Sequence, residues 1–449
     1  MNIFRVLKKI ENQIQGGIYI TGEYVYRFLI DDKKRKIDDI IIIGSPSKII
    51  QCLNNYGIYS KAKKIFTYNN SKIKITIINP LKDKTDNELL KINSNRRLFT
   101  IYSIYLPVNN IKKVEAIDFV DGKKDIKKRR INIIGDIENK LKTNKLLIIQ
   151  ALTVSIISDC LLDKKIINLQ KMICMKGLTK KQILLLKDCF IAIITSSVPS
   201  TYFLLLKKLN ILQIIFPELC NCINLKQDSN YHGHDVFKHC IYTCDNIEND
   251  MVLRLSALFH DIGKAQVVKK INGKITFHKH EITSTNIVKH RLKFLNFDQD
   301  IIDKVYLLVR HHMYHYTNEY TDAGIRRFIK KSKITKDEIN DISNFSLFKL
   351  RIADRLGNGI KTIEITERQK DFEKRIVKVY NKMHSLKFKD LNITKSFIKK
   401  CFNQSFTNDI IKGIEKFLLE AIKINPEKNK EKILIKLIID YLYKINYWN

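Results

Sequence analysis

The hydrophobic rhythm of the chain changes once. In the first part, "KIDDIIIIG" ends in a short, wholly apolar run, as a buried strand would. "SKIKITIIN" alternates with period two and predicts a half-buried strand, and "IYSIYLP" is a further strand candidate. From about Asp125 the spacing turns helical. "TNKLLIIQALTVSIISDCLL" is apolar at most positions and predicts a buried helix. "TYFLLLKKLNILQIIFPEL" predicts a helix, a short turn and another helix, stopped by Pro217. Between Val236 and about Gly359 the helices are interrupted by one hairpin, "VVKKINGKITF", with Asn272-Gly273 at its turn. Two amphipathic helices follow, "NDIIKGIEKFLLEAIKI" and "KEKILIKLIIDYLYKI", broken at "NPEK". The expected fold is α+β: a small α/β head followed by a long all-helical body.

Charge adds a partner class to that picture. The 449 residues carry 81 Lys and Arg against 46 Asp and Glu, a formal net charge of +35. Abundant Lys, Ile and Asn suggest AT-rich coding, yet an excess of this size still favours contact with phosphate backbones. "KKDIKKRR" supplies a candidate RNA patch: Lys123, Lys124, Lys127, Lys128, Arg129 and Arg130. A solvated basic face explains it equally well. The start, "MNIFRVLKKIENQIQ", has charges inside its apolar pattern and no signal-peptide core. Apolar runs such as Cys189 to Val198 are too short to span a bilayer. The expectation is a cytoplasmic protein with no membrane partner. Of nine scattered cysteines several, such as Cys189 and Cys240, read as ordinary reduced core residues. Cys220 and Cys222 are too close for a C-x-x-C site.

Candidate chemistry is concentrated in one segment. Ten of the eleven histidines lie from His232 to His315. The ligand candidates are His239, His260, Asp261 and His280, then His311 or His312 (His311 is preferred), and Asp354 in "RIADRLG". Imidazole suits borderline transition ions and carboxylate suits harder ones. Adjacent His260 and Asp261 would have to ligate from opposite flanks of a helix that grazes the metals. An aspartate between two ions can bridge them around a phosphate oxygen and a water. Gly263 would allow a close turn after the site, and Lys264 would offer an ammonium to a substrate phosphate. Taken alone, a His-Asp pair is as easily a satisfied hydrogen bond, and His290 reads as a packing or surface residue.

These motifs carry a resemblance. "DVFKHC", "ALFHDIGK", "FHKHE" and "LVRHHM" resemble the HD metal-dependent phosphohydrolase domain, with Asp354 where its last aspartate is expected. The wider layout, over roughly residues 10 to 360, resembles bacterial class II tRNA nucleotidyltransferases and poly(A) polymerases. "DGKKDIKKRRINIIGD" is similar to the stretch that joins head and neck in that family. The resemblance implies residues 1-124 as a nucleotidyltransferase-like head, 125-225 as a helical neck, 226-360 as the HD domain and 361-449 as a lysine-rich helical tail. It also implies one or two divalent ions (Mn, Mg, Ni, Co or Fe) in the HD site, with Asp261, Lys264 and Arg351 in catalysis. RNA, tRNA above all, is the implied partner.

The head departs from that family where its chemistry lives. Gly22 is retained, but Thr21, Val25 and Tyr26 replace a glycine, an arginine and an aspartate. Of the paired carboxylates, Asp39 matches the second and Ile37 stands at the first; Asp38 points to the other face of a regular strand. Lys74 occupies the place of a third carboxylate. Arg96, Arg97, Phe99, Thr100 and Ile101 are retained, while Leu98 and Tyr102 replace an aspartate and an asparagine. In the neck, Asn144, Lys145, Leu147 and Gln150 replace an aspartate-proline and two arginines. The expectation is a silent nucleotidyltransferase head and an active HD hydrolase working on RNA ends or nucleotides. Three alternatives stand: an active CCA-adding or poly(A) enzyme, a free-nucleotide hydrolase with a nucleotide-sensing head, and a non-catalytic RNA-binding protein.

Overall fold

The computed structural model describes all residues except 1, 15, 34, 110–114, 145, 170–177, 229–232, 315–320, 361–366, 403–405 and 448–449, and the side chains of 214 and 343. Lys145, His232 and His315 therefore lie outside the described residues. The chain divides into two compact units, 1–196 with 201–216, and 197–200 with 217–449.

The first unit holds a seven-stranded sheet. Its strands are β1 (Ile18–Thr21), β2 (Asp39–Ile43), β3 (Ile58–Ser60), β4 (Ile65–Tyr68), β5 (Ser71–Ile78), β6 (Ile104–Pro107) and β7 (Ile117–Asp118), in the order β3-β4-β5-β2-β1-β6-β7. β2 and β5 run parallel, and the other neighbours are antiparallel. The apolar run in β2 has a physical cause. Ile40 and Ile42 pack with Val6, Leu7, Ile10 and Val25, while Ile41 and Ile43 pack with Leu89, Leu90 and Tyr105. Both faces are buried, so no polar alternation survives. In β5, Ile73 and Ile75 are buried and Lys72 and Lys74 point outward.

Two expectations need correction. "IYSIYLP" is a strand only from Ile104; Thr100–Tyr102 is a 3-10 turn. The Ser103 hydroxyl donates to Phe99 O and Thr100 Oγ1 donates to Asp125, which ties that turn locally. Pro217 does not merely stop a helix: Leu212–Ile215 ends at Phe216 and Pro217 opens the short helix Pro217–Cys220. Proline disfavours helical backbone before it and tolerates the first helical position. The buried helix exists as expected, at Leu147–Ser158.

The second unit is helical. Val236–Asp245, Met251–Phe259, His280–Phe294, Gln299–His311 and Ser346–Gly357 surround the histidines. The hairpin Lys269–Ile271 to Lys274–Thr276 turns through Asn272 (φ 48°) and Gly273 (φ 79°), the positive φ pair that a two-residue turn needs. At Gly357 a Cβ would fall 2.3 Å from Thr243 Oγ1, so the Val236–Asp245 and Ser346–Gly357 helices cross closely. The last helices, Asn408–Ile424 and Glu431–Lys444, share their own core of Ile414, Leu418, Leu434, Ile438 and Leu442. The architecture is thus a mixed α/β region followed by a long helical region.

Candidate metal centre

Helix ends aim the histidines. Met251–Phe259 stops at His260, and Gln299–His311 stops at His312. At each end the histidine Nδ1 lies 2.8 Å from a carbonyl three residues back, Ala257 O or Val309 O. His280 opens its helix with Nδ1 2.9 Å from Phe277 O. A carbonyl can only accept, so each Nδ1 carries the proton, and neutral imidazole then has a bare lone pair on Nε2.

The Nε2 atoms of these three histidines and of His239, which lies within the helix Val236–Asp245, converge. His239 Nε2 and His260 Nε2 are 3.0 Å apart, and His280 Nε2 and His312 Nε2 are 3.4 Å apart. Asp261 joins the two pairs. Its Oδ2 lies 3.3 Å from both His239 and His260, and its Oδ1 lies 3.0 Å from His280 and 3.6 Å from His312. Asp354 Oδ1 completes the first group, 3.1 Å from His239 and 3.7 Å from His260. The result is two triads able to hold a divalent ion, His239–His260–Asp354 and Asp261–His280–His312. Lone pairs facing lone pairs beside carboxylates fit a cation and little else. A proton does part of that work in the metal-free protein. Burial opposes charge on His260, but Asp261 and Asp354 outweigh it and push the group up to about 10. Burial likewise raises Asp261 and Asp354, yet Lys264, His260 and His239 hold Asp261, and His239 and His260 hold Asp354, well below the usual carboxylate range.

A surrounding layer fixes the carboxylates. Lys264 is buried, with Nζ 2.6 Å from Asp261 Oδ2 and donating to Gln227 Oε1 at 2.7 Å. Arg351 Nη1 donates to Asp354 Oδ2 at 2.8 Å, leaving Oδ1 to the histidines. Gly263 has φ −68°, so turning is not what it supplies. A Cβ there would sit 2.5 Å from His280 O and from Ser284 N, so glycine lets the Asp261 turn press against the His280 helix.

The structure corrects one ligand and one geometry. His312, not His311, faces the cluster; His311 is the last residue of its helix and turns away to line a neighbouring cleft with Arg310 and Lys331. His260 and Asp261 do not ligate from the flanks of a grazing helix. The helix ends at Phe259, and in the turn after it the two neighbours converge, with His260 Nε2 3.3 Å from Asp261 Oδ2. Gln227 carries no sequence signal, because its role exists only through Lys264.

The head is arranged differently. Asp39 is buried and in register with Lys74 across β2 and β5. Its Oδ2 accepts from Arg97 Nη2 at 2.7 Å and lies 3.5 Å from Lys74 Nζ. Asp38 precedes the strand, and its Oδ1 accepts from Tyr24 N at 3.3 Å beside Gly22. Val25 is fully buried in the head core, and the Tyr26 hydroxyl donates to Ser158 O. Arg96 is exposed. Among the described residues, both groups of three or more ligands that could hold a metal belong to the histidine cluster, and neither is in the head.

The basic stretch lies on and after the helix Gly122–Lys127. Lys124, Lys127, Lys128, Arg129 and Arg130 are exposed. Lys123 pairs with Glu115 at 3.0 Å, Arg129 with Asp159, and Arg130 with Asp163 at 3.3 Å. No described helix is long and apolar enough to cross a membrane.

Known proteins resemble this chain at two levels. A CC-adding tRNA nucleotidyltransferase of Thermus thermophilus is 28% identical over 160 residues; the alignment covers 34% of this chain and 34% of that protein. The chain thus spans about a third of that relative's length. Over nearly the whole chain the likeness is one of fold. The crystal structure of the Bacillus stearothermophilus CCA-adding enzyme in complex with CTP matches with a TM-score of 0.55 at 12% identity, covering 99% of this chain and 98% of that one. A second CCA-adding enzyme complex with CTP matches with a TM-score of 0.53 at 14% identity, over 98% and 94%. Residues 231–386 match the HD domain, and both metal triads lie inside that span.

Proposed function

We propose that this protein is an HD-type metal-dependent phosphohydrolase acting on RNA ends, carried on a nucleotidyltransferase-like head that no longer transfers nucleotides. One observation carries the reading: Asp261 divides its two oxygens between two triads whose imidazole Nε2 atoms all point inward. Four imidazoles favour manganese, iron, cobalt or nickel over magnesium. A divalent ion there would supply Lewis acidity, lowering the pKa of water and neutralising charge on a phosphoryl oxygen.

The protein's own residues do the rest. His239, His260 and Asp354 would hold one ion, and Asp261, His280 and His312 the other. Arg351 aims Asp354, and Lys264, fixed by Gln227, aims Asp261. Both cations also place positive charge beside a phosphoryl group. HD domains fused to tRNA nucleotidyltransferases act on phosphomonoesters and 2',3'-cyclic phosphates at RNA ends, and by resemblance those are the preferred substrates. The net charge of +35 and the exposed lysines at 124, 127 and 128 support RNA as partner. The division at 124, 225 and 360 follows from the same reading.

The head reading rests on charge. Two-cation chemistry needs carboxylates free to receive metal, and Asp39 Oδ2 is held by Arg97 with Lys74 beside it. The test is a substrate panel on metal-stripped protein reloaded with manganese, nickel or magnesium. The expected result is hydrolysis of 2',3'-cyclic AMP, a phosphomonoester or a tRNA 2',3'-cyclic end, with no CTP or ATP added to tRNA lacking CCA. Nucleotide addition without hydrolysis would overturn it.

A further inference from the structure

A cleft of about 380 Å³ flanks the metal centre within the second unit. It begins one residue from two cluster histidines: Glu281 follows His280, and His311 and Met313 bracket His312. The facing wall is the helix Asp322–Ser332, which contributes Arg327 and Lys331. Both are exposed and stand four residues apart on that helix. Like charges at this spacing repel along a helix face, and Arg310 adds a third cation. Glu281 is the one carboxylate among the described lining residues, and Arg310 Nη1 already engages it at 3.1 Å. The cleft is therefore cationic even after its internal pair is counted. Phe328 lines it over buried Tyr314, with ring centroids 5.4 Å apart. Cations around an aromatic wall suit a nucleotide phosphate with its base.

A substrate with one phosphate at the metals would leave this wall unused. We propose that the cleft is a second-phosphate subsite: Arg327 and Lys331 hold the phosphate next to the scissile one, and the attached nucleoside lies against Phe328. The chemistry it selects is a nucleotide end bearing two phosphates, and a polynucleotide end is the source we favour. This rests on the hydrolase reading of the metal centre.

The experiment uses the full chain loaded with manganese. It compares kcat/KM for 2',3'-cyclic AMP, for the same nucleotide bearing a 5'-phosphate, and for a short RNA ending in a 2',3'-cyclic phosphate. The expected preference is RNA over 2',3'-cyclic AMP. Arg327→Gln with Lys331→Gln should cut kcat/KM on RNA on the order of tenfold, mostly through KM. Hydrolysis of 2',3'-cyclic AMP and metal content should stay unchanged, and Arg327→Lys with Lys331→Arg should restore the preference. A 5'-phosphorylated nucleotide favoured as strongly as RNA supports the subsite and names a mononucleotide as its source. Equal losses on all three substrates, or no loss on RNA, overturn the inference while leaving the hydrolase intact. If the wild type hydrolyses none of them, the parent reading fails and takes this one with it.

Discussion

Asp39 and Asp261 are both buried aspartates crowded by nitrogen, and they end in opposite states. Around Asp39 the nitrogens belong to Arg97 and Lys74, which bring permanent charge with them. The carboxylate is neutralised inside the protein. Around Asp261 most of the nitrogens are imidazole Nε2 atoms whose rings already spend their proton on Nδ1. That site gathers facing lone pairs around two carboxylates, each with one cation beside it, Lys264 at Asp261 and Arg351 at Asp354, and those lone pairs are what an ion would engage. The difference between an ion pair and a metal site lies in which nitrogens surround the carboxylate.

The sharpest way to break this comparison is at the histidines. His260→Ala and His312→Ala should each abolish binding of the ion in their triad, read by metal titration, with hydrolysis falling to background. His311→Ala should leave metal affinity unchanged; loss of metal there would return His311 to the ligand set. Next in size is the head ion pair. Asp39→Ala strands Arg97 in a mostly buried position and should cost about 3 kcal/mol in denaturant unfolding, while magnesium neither stabilises the head nor changes that cost. Arg351→Ala should be milder, weakening metal affinity or activity by about 10–100-fold, the usual effect of freeing a ligand from its orienting partner.

A pH measurement sharpens the contrast further. In the metal-free protein His260 is pushed up to about 10, above the ordinary imidazole value near 6.5. Its contribution to stability is complete below pH 6.5 and is lost as pH rises towards 10. Metal must displace that proton, so binding at pH 7 should release about one proton per His260-containing site. Affinity should therefore rise with pH. The metal-loaded protein should lack the alkaline decline in thermal stability that the stripped protein shows.

Much of this was legible in the residues. The change from strand to helix spacing near Asp125, the apolar β2 and the Asn272-Gly273 turn all follow from local pattern. The ligand types were legible too, since ten histidines fall in one segment. What the pattern could not decide was where each helix ends. That single fact selects His312 over His311, because only the residue at the helix end can fold its Nδ1 back onto the carbonyl of Val309. It also places His260 and Asp261 in the turn after a helix rather than on its flanks. Gln227 was invisible for a different reason: it acts on Lys264 across 37 positions of chain, and no periodicity spans that distance. In the head, Lys74 was legible as a cation from residue type, but Arg97 closing on Asp39 required the fold.

The central claim is that chemistry resides at Asp261 and not at Asp39. The most direct measurement assays one metal-loaded preparation for hydrolysis of an RNA 2',3'-cyclic end and for CTP and ATP addition to tRNA lacking CCA, with Asp261→Ala and Asp39→Asn run beside the wild type. Hydrolysis is expected in the wild type and in Asp39→Asn, none in Asp261→Ala, and no nucleotide addition by any of the three. Nucleotide addition that survives Asp261→Ala and disappears in Asp39→Asn would contradict the claim.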